Sequence, residues 1–315
     1  GVKDTMESNA VDLDSYLVEN SKVILENAMI EQWSAVRKES NYLNSVLSDL
    51  LKEQRADIEK FTKDKELQKE YTQRVFPELL ESLRRDTTCG VFLVMANDQP
   101  IGAPGDFTGF FLRDSDPVTK VDTNSDLLLE RGDKTLARQW GITLDNSWSP
   151  AFRFQGKGIR ESDDFFYEPY TAGMAHTGVD MASLGYWSMP FILEDYEMDN
   201  HKMITYSVPL VNDGVIYGVV GTEVSVSYLC NTYFRVQDLN RQQTAGYAIA
   251  VDNGDGTYEN IAGKGNLYDA VQRENGIFKL ESTKHEDLFK VKDSKIGTQE
   301  IYALFSKKNI IFVAV

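Results

Sequence analysis

Residues 203–228, MITYSVPLVNDGVIYGVVGTEVSVSY, place β-branched and aromatic residues on both sides of Asn212-Asp213-Gly214. Glycine accepts the positive φ that a tight hairpin loop demands, and Val, Ile, Tyr and Thr dominate both flanks, so the segment predicts two antiparallel strands joined by a short turn. This hairpin is read as the closing element of a sheet.

The sequence before the hairpin changes period. From residue 12 to 61 apolar side chains recur at steps of three, four and seven: Leu13, Leu17, Ile24, Trp33, Val36, Leu43, Leu47, Leu50, Ile58 and Phe61. Charged residues fill the other face and no Pro or Gly intervenes, which predicts one amphipathic helix of about 75 Å. Such a rod outruns a single domain, so part of its stripe is expected to meet a second copy of the chain. Residues 64–85 continue helically, with Pro77 expected to break or restart the helix. Strand patterns follow at 89–95, 107–113 and 126–132, then a helix at 134–140 and an irregular stretch at 146–190 crowded with aromatics. After the hairpin, residues 228–243 read as a short helix and linker. Strands are then expected at 246–252, 258–262, 276–281, 297–305 and 309–315, with a helix at 267–274.

The chain has 315 residues, 42% hydrophobic and 26% charged, enough for two globular units. Its formal net charge of -16 disfavours nucleic acid and anionic lipid surfaces, which need clustered Lys and Arg. No apolar run reaches the length of a membrane span and no signal peptide is recognisable. The start within helix-like sequence and the end within an apolar strand read as a piece of a longer protein. Cys89 and Cys230 allow one disulfide or two half-buried thiols. His176, His201 and His285 lack any catalytic or metal-ligand spacing and are expected at the surface. Asp252-Asn253-Gly254-Asp255-Gly256 reads as a hairpin turn, because two glycines stand where a calcium loop needs oxygen ligands.

Several segments in this order resemble one family: 109–117 (GFFLRDSDP), 165–170 (FFYEPY), 185–191 (GYWSMPF), 206–210 (YSVPL) and 218–223 (GVVGTE). Over essentially the whole chain they resemble the double Cache domain, an extracytoplasmic sensor module of bacterial transmembrane receptors. The resemblance implies an α+β, mostly antiparallel fold: a long N-terminal helical stalk (1–85), a membrane-distal PAS-like ligand-binding unit (86–235) and a membrane-proximal PAS-like unit (236–315). It also implies flanking membrane helices, a homodimer in the full receptor, and a cytoplasmic output such as a diguanylate cyclase or histidine kinase. No cofactor, metal or catalytic residue is implied. In the amino-acid-binding branch, Phe166-Tyr167 corresponds to Trp-Tyr, and Asp164 stands where that branch carries the arginine that grips the ligand carboxylate. Glu223 falls near the Asp that receives the ligand amine.

The expected ligand is a small polar or zwitterionic metabolite. Trp148, Tyr167, Tyr170, Tyr186 and Trp187 each carry a polar handle on a large apolar body, the lining that small-molecule pockets use, whereas Phe152, Phe165 and Phe191 read as core plugs. Phe111, Arg113, Phe166, Tyr206 and Glu223 complete the candidate set. Arg113 offers a bidentate fork to an anionic group, or a salt bridge to Asp114, Asp116 or Glu223. A competing reading is an exported hydrolase using carboxylates near Asp163 and Glu168, and another is a surface adhesin.

Overall fold

The computed structural model describes residues 27, 34–85, 88–117, 123–176, 178–188, 191–192, 202–225, 245–271, 276–284, 288–306 and 309–314. The chain divides into two compact units, one of residues 31–225 and one of residues 1–30 with 226–315.

The 31–225 unit opens on helix α1, residues 34–54, whose Val36, Leu43, Leu47 and Leu50 are buried on one stripe. The expected helix through Phe61 is interrupted: Arg55 adopts a left-handed φ of 49°, and Asp57 caps a separate turn, α2 (Ile58–Phe61), by accepting from the Lys60 amide at 2.8 Å. The break lets Phe61 meet Tyr71 and Tyr217 edge-on, at centroid distances of 5.4 and 6.0 Å. Apart from Asn27, residues 12–33 lie outside the described residues, as do 228–243, Cys230, His201 and His285. Helix α3 (Lys65–Arg85) runs on through Pro77, where a break was expected. Phe76, Leu79, Leu80 and Leu83 around the proline are all buried, and their packing outweighs the one backbone bond it forfeits.

Strands β1 (Gly90–Met95), β2 (Gly105–Phe107), β3 (Gly109–Asp114), β4 (Leu127–Arg131), β5 (Thr143–Ser149), β6 (Phe152–Phe154), β7 (Tyr186–Trp187), β8 (Phe191–Ile192), β9 (Lys202–Asn212) and β10 (Val215–Ser225) follow. Helix α4 (Lys134–Trp140) precedes β5, and α5 (Asp164–Ala175) precedes β7. The main sheet has the order β5-β4-β3-β1-β10-β9-β7, with β8 also on β9. Its pairs are antiparallel except β4 with β5. The expected strand at 107–113 is two strands, since β2 leaves to pair with β6 in a separate ribbon. Side chains alternate between two cores. Val91, Leu93, Met95, Phe110 and Leu112 pack with α1 and α3, while Phe92, Val94, Phe111 and Val219 pack with an aromatic layer of Phe107, Phe152, Phe154, Phe166, Tyr167 and Tyr170.

The second unit is a closed antiparallel barrel of β11 (Ala245–Asp252), β12 (Thr257–Lys264), β13 (Ile277–Ser282), β14 (Leu288–Ile296), β15 (Gln299–Ser306) and β16 (Asn309–Ala314), with helix α6 (Asn266–Val271). Strand β14 was not anticipated. In LFKVKDSKI only Leu288 and Val291 are fully buried, too few to mark a strand by alternation. Both units place the first strand of the main sheet between its second and its last: β1 between β3 and β10, β11 between β12 and β16. The fold class is the expected one, α+β and mostly antiparallel, with N-terminal helix followed by two sheet-rich units. No helix among the described residues is long and apolar enough to cross a membrane.

Candidate functional site

Three strands of the 31–225 unit carry a row of polar residues under the aromatic layer. Gly90 at the start of β1 is paired with Arg113 of β3 on one side and Glu223 of β10 on the other, and Glu223 is paired in turn with Thr205 of β9. With no side chain on Gly90, the Arg113 guanidinium reaches across β1. Its Nε and Nη2 donate to the two Glu223 oxygens at 3.0 and 3.2 Å. A Cβ on Gly90 would lie 2.9 Å from the Phe111 ring and 3.1 Å from Glu223 Cβ, so the crossing depends on glycine.

Glu130 joins from the other side. Phe111 is paired with Arg131 and Leu112 with Leu129, so Glu130 is the extra residue of a β-bulge, a device that re-aims a side chain. Its Oε2 stands 2.7 Å from Arg113 Nη1. Arg113 also sits 5.1 Å from the Phe111 ring centre. Burial alone would lower the Arg113 pKa, but the charges of Glu223 and Glu130 outweigh it and hold the guanidinium protonated. Burial pushes the Glu130 carboxyl up, against the pull of Arg113. Cys89, a buried free thiol, is pushed up to about 12 by burial and by Glu223, which makes it inert.

A cavity of about 590 Å³ opens over this row. Its inner lining includes Phe111, Arg113, Glu130, Thr205 and Glu223; its outer lining comes from Arg131 and from segment 149–165, including Phe152, Phe154, Arg160, Asp163 and Phe165. Asp163 is buried and fully engaged: it accepts from Arg160 at 2.8 and 3.1 Å and from the Gln155 amide at 3.0 Å. Thr205 is different. It is 1% exposed, and its hydroxyl has no hydrogen-bond partner among the described residues.

Charge is distributed unevenly over the lining. The inner part sets two carboxylates, Glu223 and Glu130, against one guanidinium. The outer part sets Arg131, Arg153 and Arg160 against Asp163, although Arg131 also stands 3.9 Å from Glu130 and Arg153 stands 3.7 Å from Asp106, outside the lining. The side chains of Arg153 and Arg160 are 78% and 47% exposed, whereas that of Glu223 is 0%.

The structure brings Phe111, Arg113 and Glu223 of the sequence-derived set together in the cavity lining. It places the other seven elsewhere. Trp148 donates from Nε1 to the Gly132 carbonyl at 3.0 Å and packs against the helix-side core. Phe166 stacks on Phe154 and Tyr170, each at 4.9 Å, and Tyr167 donates to the Ala103 carbonyl at 2.9 Å, so α5 uses all three for packing. Tyr186 and Trp187 lie on β7, with Trp187 4.8 Å from the Tyr206 ring. Tyr206 is 2% exposed in the helix-side core, and burial pushes its hydroxyl, like those of Tyr170 and Tyr186, up to about 12. Phe152 and Phe165, expected as core plugs, border the cavity. Glu130, Arg131, Arg160 and Thr205 were not anticipated. Thr205 and Glu223 could have been linked by counting outward from the Asn212–Gly214 turn, but the offset at Ile216/Gly218 shifts the register by one.

No protein-family model matches the chain, and no curated protein matches it significantly. Among solved structures, it is similar to the ligand-binding domain of the Campylobacter jejuni chemoreceptor Tlp3 in complex with 4-methylisoleucine. That match has 12% identity and a TM-score of 0.49, and covers 99% of this chain and 91% of the other. The periplasmic sensory domain of the Campylobacter jejuni chemoreceptor Tlp1 matches at 12% identity and TM-score 0.48, covering 98% and 95%. The ligand-binding domain of the Pseudomonas aeruginosa PAO1 amino acid chemoreceptor PctB in complex with L-Arg matches at 13% and 0.44, covering 98% and 87%. At such identities and scores each is a likeness only.

Proposed function

We propose that this chain is the ligand-sensing ectodomain of a bacterial transmembrane receptor and holds a small zwitterionic or polar metabolite in the cavity of the 31–225 unit. The observation that carries the reading is the Arg113–Glu223 pair, buried, with half-buried Glu130 beside it, at the base of a cavity of about 590 Å³, within the size range of small-molecule sites. Its inner excess of carboxylate favours a ligand amine, which Thr205 can also engage with its spare hydroxyl. The outer arginines favour a carboxylate or other anion at the opposite end. Arg113 is spent on Glu223 and Glu130, so it orients those carboxylates rather than gripping the ligand itself. Asp163, the acid of the hydrolase reading, has both oxygens bonded to Arg160 and the Gln155 amide, and this favours a binding role over a catalytic one.

In the full-length protein the domain is proposed to stand outside the cytoplasmic membrane between two membrane helices and to act as a homodimer. Extending the coding sequence on both sides tests that placement; lack of an apolar span on either side contradicts it. The ligand itself is sought by a thermal-shift screen of metabolites, since a compound at 100 times its Kd adds about 2.7 kcal/mol of stability. The expected hit carries an amine, and Glu130→Gln, Thr205→Val and Arg131→Gln each weaken it about tenfold, at about 1.4 kcal/mol apiece. A hit bound equally well by all three variants is bound elsewhere.

A further inference from the structure

The barrel unit has a cavity of its own, about 580 Å³, bordered by α6, β13 and β14. Its origin is local. Strand β14 loses register with β15 between Lys290 and Lys295, and inside that gap Asp293 takes a left-handed φ of 59°. Strand β13 meets β12 over Thr257–Glu259 and β14 over Leu280–Ser282. The wall therefore splays where β14 bulges, and the apolar side chains beneath it, Val271 and Phe278, form a floor.

Three lysines, Lys279, Lys292 and Lys295, stand around that floor with a single carboxylate, Asp293. None of the three makes an ion pair among the described residues, whereas neighbouring Lys290 is held by Glu300 at 3.1 Å. Asp255 lies close enough to feel Lys279, but its carboxyl is held mainly by Thr257. The C-terminal end of α6 brings at most about half a negative charge, so the lining stays net positive. In a chain with 49 acidic and 33 basic residues, three lysines that line one apolar hollow without an ion pair among the described residues, Lys295 lying opposite Glu300 in the ladder, are a local reversal of charge. Walls of one sign around a concave surface concentrate ions of the other sign.

We infer that this second cavity is a site for a small amphiphilic anion, its carboxylate or phosphate met by Lys279, Lys292 and Lys295 and its apolar body laid on Phe278 and Val271. The site lies wholly within the barrel unit and is independent of the ligand proposed for the other unit.

The test is calorimetric titration of the whole chain at fixed ionic strength with phenyl phosphate, alongside inorganic phosphate. The parent is expected to bind phenyl phosphate saturably and more tightly than inorganic phosphate, because only the former covers the floor. Lys292→Gln/Lys295→Gln, both exposed positions, is expected to raise the Kd about tenfold, the loss of two charges worth under about 1 kcal/mol each near water. Lys52→Gln, an exposed position of α1 outside both cavities, is expected to leave it unchanged. The inference is overturned by absence of saturable binding at about 10 mM, by equal affinity in the double lysine variant, or by an equal loss in Lys52→Gln.

Discussion

Arg113 and Asp114 are adjacent in sequence, buried on opposite faces of one strand, and solve their desolvation differently. Arg113 finds two carboxylates 17 and 110 residues away, a pairing that rests on Gly90 being bare and Glu130 being bulged. Asp114 makes no ion pair among the described residues. Burial pushes its carboxyl up to about 6, against the Asp116 amide that donates to it at 2.9 Å, and the nearby Asp126 charge adds to the rise. A carboxyl raised in the folded state from an unfolded value near 3.9 favours folding below about pH 4, and that contribution is lost as pH rises through about 6. Asp114→Asn is therefore expected to be more stable than the parent at pH 7.5, by about 1 kcal/mol once solvent screening is allowed for, with the gap closing below about pH 4. Urea midpoints measured at both pH values check this; an equal gap at both contradicts it. The residue types of the cavity base were legible in the sequence, since Arg113 and Glu223 stood out as a possible pair. Glu130 and Thr205 were not, because a bulge and a register offset decide which way they point.

Elements defined by local chemistry were the most readable. Helix α4 matches the expected 134–140, with Asp133 accepting from the Thr135 amide at 2.9 Å and Gly141 left-handed at its end, the two signals that end a short helix cleanly. Helix α5 was hidden in a stretch read as irregular, because Pro169, Gly173 and four aromatics are poor helix formers. Packing overrides that preference: a Cβ at Gly173 would be 2.7 Å from Ile216 and Pro209, so the helix lies directly on the hairpin. Helix α1 shows the reverse case, a strong stripe whose continuation failed at Arg55 because tertiary contacts of Phe61 favour a turn. Tyr71 donates to the Leu43 carbonyl at 2.9 Å and Tyr217 to Asn44 at 2.6 Å, tying α1 to α3 and β10. Leu47, about one turn beyond these ties on the same buried stripe, is 0% exposed. Leu47→Ala is expected to cost about 2–5 kcal/mol by leaving a cavity there, read as a lowered denaturation midpoint at unchanged m-value. A loss below about 1 kcal/mol would mean that α1 is not docked as described.

At the scale of the molecule, one sheet plan is used twice with different contents. In the 31–225 unit the sheet is covered by helices on one face and by an aromatic layer on the other, and buried charge lies at the boundary between that layer and a cavity. In the barrel unit the sheet closes on itself, and its cavity is edged by exposed lysines. Two antiparallel units were foreseeable from strand period and turn chemistry, but the cavities were not, since a bulge that alternation of side chains does not reveal aims Glu130 in one and loosens β14 beside the other. The central claim is that the 31–225 unit receives an amine-bearing metabolite with its cationic end toward Glu223 and Glu130. A crystal structure of the chain with the strongest hit of the metabolite screen tests it most directly. The account predicts ligand density over Gly90, with the amine within hydrogen-bond distance of Glu130 or Thr205 and the opposite end facing Arg131 or Arg160. Density at any other place, or a ligand turned so that its anion meets the carboxylate pair, contradicts it.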